Sequence, residues 1–472
     1  MFASTLGLFS TSLLASGSAL ITTDGKPPHI VLLIGDDHGY PYFGFMGDKH
    51  VLTPAMDTLG AGGVTYTQGY ATTPYCRPSL RALITGLHPI QYNLKKNPIV
   101  EEKQKTDPEY KSLSKADKMM WRAVQDANAL SHFETLPRLL KQKGYVSWQG
   151  GKWWENSYKT AGFDEGMTYG WDMSKFGTDD FFHEMMGSEG NELGRETIQP
   201  LYDFIDAYGE ENPMFIWYGP MLPHTPFDAP YKYSKYFEHK NISESAKMYY
   251  SNIAWWDDGV GQLMDYFEQK GMLEDTLFIY ISDNGWEQDA DVEYWKPGAT
   301  YQTDTFFANG GEKGKGGLYE QSLRSTVLFY WKNQIQPSFN DQSLVSMLDL
   351  YPTILDVAGV SRTEALRGRS LKPQLMGHQI EERTQLITYS DNRRSKDHPM
   401  GKPHEGYALT TARWHFIWDK SDGVDKLFDR TVDPKANHDL SDQFPELVQR
   451  FKEDVLSWKE ELGMEDRLVI NQ

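Results

Sequence analysis

The sequence predicts an α/β fold, in which a mostly parallel central sheet is flanked by helices on both faces and followed by a smaller C-terminal α+β subdomain. Three observations predict it. Short apolar runs recur along the chain, each closed by Gly or polar residues. Stretches with helical spacing of apolar residues separate those runs, the signature of strand–helix–strand units. After about Gly377 the pattern changes to shorter strand-like runs and one final helix.

The runs His29–Ile34, Tyr145–Trp148, Met214–Tyr218, Leu277–Ile281 and Val327–Trp331 are almost wholly apolar. Strands of that kind are buried on both faces, as in parallel sheets. Helical patterns fall at Pro54–Gly60, Glu134–Lys143, Glu196–Tyr208, Ala246–Lys270 and Ser343–Ala358. Residues 95–130 are polar, with mixed charge and little apolar periodicity before Met119. This segment reads as an insertion, either a lid or a plain solvated excursion. Residues 27–376 then form the main domain and 377–472 the subdomain, with strands around Trp414–Trp418 and a helix over Glu446–Leu462. No internal repeat or low-complexity tract is present.

Residues 1–22 hold a weakly apolar run, Leu6 to Leu20, with Gly17-Ser18-Ala19 as a small-residue cleavage site. They read as a signal peptide, which predicts a secreted or periplasmic protein. No later stretch is long and apolar enough to span a membrane. Asn241-Ile242-Ser243 is an N-glycosylation sequon. The formal net charge is −19, which makes nucleic acid and anionic membrane poor partners. The single cysteine, Cys76, excludes an intrachain disulfide and a multi-Cys zinc site. Aromatic residues make up 14% of the chain, enough for platforms under sugar rings as well as for core packing.

Three constellations carry chemistry. The apolar run Ile30–Ile34 delivers Asp36 and Asp37 at its C-terminal end, where open α/β sheets bind ligands. Adjacent carboxylates repel unless a cation lies between them. Leu277–Ile281 repeats that grammar and runs into Asp283 and Asn284. Together these residues form an all-oxygen donor set, which hard cations such as Ca²⁺ or Mg²⁺ prefer. In the third, Cys76 stands just before Pro78-Ser79-Leu80-Arg81-Ala82-Leu83-Ile84-Thr85-Gly86. Pro78 fits a first helical turn and Gly86 a C-terminal cap, so Cys76 falls at a helix N-terminus. Such an end favours an anion, such as a sulfate or phosphate group.

Taken with Thr53-Pro54-Ala55-Met56-Asp57, Gly151-Lys152-Trp153, Pro223-His224-Thr225-Pro226, Lys315-Gly316-Gly317-Leu318-Tyr319 and Leu427-Phe428-Asp429, these segments resemble the type I sulfatases of the alkaline phosphatase superfamily. The resemblance runs over nearly the whole chain, in order. It implies that a maturation enzyme oxidises Cys76 to formylglycine, whose hydrated aldehyde is the nucleophile. It implies that Asp36, Asp37, Asp283, Asn284 and the modified Cys76 ligate one Ca²⁺, ahead of Mg²⁺. It also implies that Lys152, His224 and Lys315 hold the sulfate oxygens and the leaving group. A sulfated small molecule or glycan is then the partner. The physical demand agrees, because a sulfate monoester needs its non-bridging oxygens gripped and charge neutralised on the leaving oxygen.

Two positions depart from the family pattern. Leu80 stands where an Arg is usual four residues after the Cys, with Arg81 turned about 100° away on a helix. Trp154 stands where a His is usual two residues after the Lys. Arg77 or Arg81 is the candidate substitute for that Arg, and His38 the candidate substitute for that His. Two other readings use the same scaffold: a phosphodiesterase or phosphonate monoester hydrolase, and a catalytically weak binder of sulfated glycans.

Overall fold

Successive residues of the strand His29–Gly35 (β1) point to opposite faces, and both faces are buried. Ile30, Leu32 and Ile34 join one apolar cluster, while Val31 and Leu33 join another. That is why the run is apolar throughout rather than alternating. The computed structural model describes residues 20, 25–178, 180–294, 313–361, 366–392, 404–420 and 423–463. Apart from Leu20, the expected signal peptide lies outside them.

The other strands of the main sheet are Val64–Tyr70 (β2), Val146–Gly151 (β3), Glu165–Gly166 (β4), Met214–Gly219 (β5), Thr276–Ser282 (β6), Arg324–Tyr330 (β7), Ser338–Asn340 (β8) and Val345–Ser346 (β9). Among the described residues they run in the order β4-β3-β5-β1-β6-β7-β2-β8, with β9 also on β2. Strands β1, β3, β4, β5 and β6 are mutually parallel, and β7 runs antiparallel to both β6 and β2. The predicted mostly parallel sheet is therefore present, with all five predicted strands in it. Strand β2, Val-Thr-Tyr-Thr-Gln-Gly-Tyr, escaped the reading because its polar residues break the apolar run.

Helices cover both faces. The helix Cys76–Thr85 packs Leu80, Leu83 and Ile84 on one side, together with Leu136–Leu140 and Leu350–Val357. Helix Pro54–Gly62 and the long helix Glu244–Gln269 cover the other side. Residues 95–130 are helical over most of their length. Helices Pro89–Thr106 and Lys115–Asn128 form a hairpin, joined by the Lys96–Asp126 ion pair. The first of them buries only Pro89, Ile90 and Tyr92, which is why the sequence shows so little apolar period there.

A second, antiparallel sheet comprises Gln385–Asn392 (β10), His404–Thr411 (β11), Trp414–Asp419 (β12) and Val424–Asp429 (β13). Helix Pro445–Glu461 lies on it, packing Val448, Phe451 and Val455 against Tyr407, Leu409, Phe416 and Leu427. This unit also grips the main domain. His415 Nε2 lies 2.8 Å from the Leu318 carbonyl, and Arg430 pairs with Glu320 at 2.7 Å. Both contacts hold the segment that carries Lys315. Among the described residues no helix is long and apolar enough to cross a membrane.

Candidate active site

Four parallel strands, one helix and the segment that precedes β7 deliver the predicted residues to one place. In the β1–β6 register Gly35 is opposite Ser282, so Asp36 and Asp283 leave the sheet side by side. Asp37 then takes a left-handed turn, with φ of 62°, and its N–H donates to Asp283 Oδ1 at 3.1 Å. Strand β3 brings Lys152 and the loop after β5 brings His224. Gly151 has φ of +91°, and a Cβ there would lie 1.8 Å from the Gly219 oxygen, so only glycine permits this approach. Lys152 N–H closes it by donating to the same oxygen at 2.8 Å. Cys76 is the first residue of its helix, and Gly86 ends that helix in the left-handed region as its sequence predicts.

The side chains converge. Lys152 Nζ donates to Asp36 Oδ1 and Oδ2 at 2.6 and 2.8 Å, and lies 3.2 Å from Cys76 Sγ. Cys76 Sγ is 3.6 Å from Asp36 Oδ1 and 3.4 Å from Asn284 Oδ1. Lys315 Nζ donates to Asp37 Oδ2 at 2.8 Å, and Asn284 Nδ2 donates to Asp37 Oδ1 at 2.7 Å. His224 Nε2 is 3.5 Å from Asp37 Oδ2. All of these residues are buried.

Burial alone would raise the Asp36 carboxyl, but Lys152, His224 and Lys315 hold it well below the usual carboxylate range. Burial also opposes the charge on Lys152, and Asp36 more than offsets this, so the ammonium stays protonated. The Cys76 thiol is pushed up by burial and then by Asp283, so as a thiol it is not an ionised nucleophile. Burial, and next the Lys152 charge, lower His224 to about 4. The neutral ring donates Nδ1–H to the Thr225 oxygen at 2.6 Å, which leaves Nε2 as an acceptor facing Asp37.

The donor set fits a divalent cation. One ligand atom from each of Asp36, Asp37, Cys76 and His224 lies within 4.8 Å of the others. Buried Asp283 Oδ2 has no hydrogen-bond partner, and burial and Asp36 push its carboxyl up. A cation would satisfy that oxygen and relieve the repulsion.

The compensating residues proposed from sequence are occupied elsewhere. Arg77 and Arg81 both close on Glu155, with Nε–Oε1 distances of 2.8 Å, and Arg81 also reaches Asp126 at 2.6 Å. Leu80 is in the core. His38 packs against Phe43 with the rings tilted by 35°, and its Nε2 is on the Tyr42 oxygen at 3.1 Å. Trp154 borders the site, with Lys152 Nζ 5.9 Å from its ring centroid. Sequence reading missed Glu155 and Asp126. The signal was Arg77 and Arg81 four residues apart, which places two guanidiniums on one helix face in need of a shared anion.

The sulfatase family profile matches residues 28–360, which hold every residue of this site. The chain belongs to the sulfatase family. A second profile, the C-terminal region of N-sulphoglucosamine sulphohydrolase, matches residues 311–461. N-acetylgalactosamine-6-sulfatase of Homo sapiens is 24% identical over 88% of this chain and 78% of its own. Arylsulfatase A of Homo sapiens is 26% identical over 80% of this chain and 72% of its own. The crystal structure of Ps i-CgsB superposes with a TM-score of 0.66 at 22% identity, covering 92% of this chain and 93% of that one. This sulfatase thus has the alkaline phosphatase-like fold expected from its sequence, and it is a sulfuric ester hydrolase.

Proposed function

We propose that this sulfatase removes sulfate from a sulfated carbohydrate outside the cytoplasm, through a formylglycine made from Cys76 and with one bound Ca²⁺. The observation that carries the reading is the contact of Cys76 Sγ with Lys152 Nζ and Asp36 Oδ1, at 3.2 and 3.6 Å. Position 76 then stands where a nucleophile, a cation and a sulfate must meet. The sugar is supported by the similarity to N-acetylgalactosamine-6-sulfatase of Homo sapiens.

Asp36, Asp37, Asp283 and Asn284 would hold the cation, which supplies positive charge for the attacking oxygen and the sulfate. The hydrated aldehyde at position 76 supplies one hydroxyl for attack on sulfur and a second that lets sulfate leave. Lys152 and Lys315, both buried, hold the non-bridging oxygens and neutralise charge on the departing alkoxide. The Thr225 carbonyl fixes the His224 tautomer, which turns Nε2 toward the site as the atom that accepts a proton and returns it.

Sulfate release measured on a panel of singly sulfated monosaccharides, beside matched phosphate monoesters and diesters, tests this. The expected result is sulfate release with kcat/KM at least about tenfold above any phosphate ester. Faster turnover of a phosphodiester would replace the reading with a phosphodiesterase.

A further inference from the structure

The loop that carries His224 has too few hydrogen-bond donors of its own. In Pro223-His224-Thr225-Pro226 both prolines lack a backbone N–H, so carbonyl oxygens outnumber donors. Pro223, His224 and Thr225 are buried, and buried carbonyls take donors from elsewhere in the fold.

The long helix Glu244–Gln269 supplies them. Asn252 Nδ2 donates to the Pro223, His224 and Pro226 oxygens at 3.3, 3.3 and 3.0 Å. Carbonyl oxygens on every side of that atom fix it as the amide nitrogen. From the other side of the loop, Arg195 donates to the His224 and Pro226 oxygens at 3.3 and 3.2 Å.

About one turn earlier, the same helix meets the loop of the metal ligands. Tyr249 Oη donates to the Asp37 oxygen at 2.8 Å and accepts the Gly39 N–H at 2.9 Å. Asp37 is held in the left-handed region, with φ of 62°, which a residue other than glycine adopts at a cost. The Tyr249 hydroxyl spans that turn and holds it closed. Tyr249 and Asn252 are both fully buried, and their spacing puts them on one face of the helix. Neither takes part in the chemistry above.

We infer that Tyr249 and Asn252 are positioning residues, through which one helix sets the Asp37 carboxylate for the cation and the His224 ring for proton transfer. Tyr249 acts on the metal side and Asn252 on the histidine side, so the effects of losing them separate. The inference rests on the sulfatase reading above and names the groups that hold its site in register.

The test compares Tyr249→Phe, Asn252→Leu and Arg195→Ala with wild type and with Ile253→Val, which trims the core face of the same helix and removes no hydrogen bond. Tyr249→Phe keeps the ring stacked on Trp286. Arg195→Ala loosens the His224 loop from its other side, so the loop is tested even if Asn252→Leu does not fold. Two quantities are measured. One is the Ca²⁺ concentration that gives half of the melting-temperature rise in chelator-treated protein. The other is kcat and KM at saturating Ca²⁺ on the best substrate of the sulfated monosaccharide panel. Tyr249→Phe is expected to raise the Ca²⁺ half-point about tenfold, with kcat largely recovered once Ca²⁺ saturates. Asn252→Leu and Arg195→Ala are expected to lower kcat about tenfold, with KM and the Ca²⁺ half-point within about twofold of wild type. Half-points and kcat values no further from wild type than those of Ile253→Val would overturn the assignment. A wild type that releases no sulfate removes the sulfatase reading and the role of Asn252, and the Ca²⁺ titration still decides Tyr249. A wild type that releases sulfate without any response to Ca²⁺ removes the role of Tyr249 and leaves the sulfatase reading standing.

Discussion

Arg81 and Glu155 meet in a two-point ion pair, Nε to Oε1 and Nη2 to Oε2, each at 2.8 Å. Arg81 sits on the helix that starts at Cys76, and Glu155 sits three residues beyond Lys152. The pair therefore ties the helix that carries the nucleophile to the strand end that carries the lysine. Burial opposes both charges, and they keep them because Arg81 faces Asp126 and Glu155, while Glu155 faces Arg77 and Arg81. Breaking a buried pair by removing one partner typically costs about 3 kcal/mol. Glu155→Ala should lower the denaturation midpoint by that order and reduce activity beyond the loss of folded protein. Urea unfolding alongside active-site titration checks both, and a variant as stable as wild type would show the pair to be idle.

The metal makes a separate prediction. Asp283 Oδ2 is buried without a donor, so a cation at the site should stabilise the fold. Adding Ca²⁺ to chelator-treated protein should raise the melting temperature, by mass action, and restore turnover more fully than Mg²⁺ does. Asp36→Ala or Asp283→Ala should abolish turnover and erase the Ca²⁺-dependent shift. Full activity in chelated, metal-free protein would remove the cation from the mechanism.

The site was more legible in the sequence than its supports. Asp36, Asp37, Asp283 and Asn284 announced themselves because each follows an apolar strand, and a parallel register must then bring the strand ends together. Lys152, His224 and Lys315 had no such local signal and came only from resemblance to a family. The partners of Arg77 and Arg81 were invisible because Asp126 and Glu155 lie 45 and 74 residues from Arg81, and only folding of the polar 95–130 segment brings Asp126 in. Strand β7 was found, but its antiparallel direction was not, since an apolar run does not state its direction.

The two lysines should behave alike for the same reason. Lys152 and Lys315 are each buried against one carboxylate of the cluster, at 2.6 and 2.7 Å. Loss of one preorganised charge contact typically costs about 3 kcal/mol, or on the order of a hundredfold in kcat/KM. Lys152→Ala and Lys315→Ala should each fall by that order on a sulfated sugar, whereas Lys141→Ala, on an exposed surface, should not. Effects within about twofold would refute their role.

His88 predicts a pH dependence remote from the chemistry. It accepts the Ile90 N–H at Nδ1, packs edge-on against Trp458, and is lowered to about 3 by burial and then by Arg367. The unfolded ring binds protons at about 6.5, so between these values the unfolded state takes up more protons. Its contribution is thus present above pH 6.5 and is lost as pH falls toward 3. His88→Asn keeps a capping acceptor and does not titrate. Between pH 6 and 4 its unfolding free energy should lose up to about 1.4 kcal/mol less per pH unit than wild type. Parallel slopes for the two proteins would refute it.

Cys76 carries the last prediction. As a thiol it is a poor candidate for the chemistry: buried, pushed up in pKa and with Asp283 opposing its ionisation. Attack through sulfur would also leave a sulfated adduct with no second group on the same carbon to expel it. A hydrated aldehyde has that second hydroxyl, and the neighbouring Lys152 at 3.2 Å and the helix N-terminus both favour a developing oxyanion there. Active protein should therefore carry formylglycine at position 76 even though Leu80 occupies the usual Arg position. Conversion should depend on the maturation enzyme of the expression host. Mass spectrometry of the peptide spanning residue 76 should show the aldehyde in a fraction that tracks specific activity across hosts. Cys76→Ala should fold, because the small side chain adds little to a core built on the sheet, and should release no sulfate. Sulfate-ester turnover by protein whose Cys76 is entirely unmodified would overturn the mechanism.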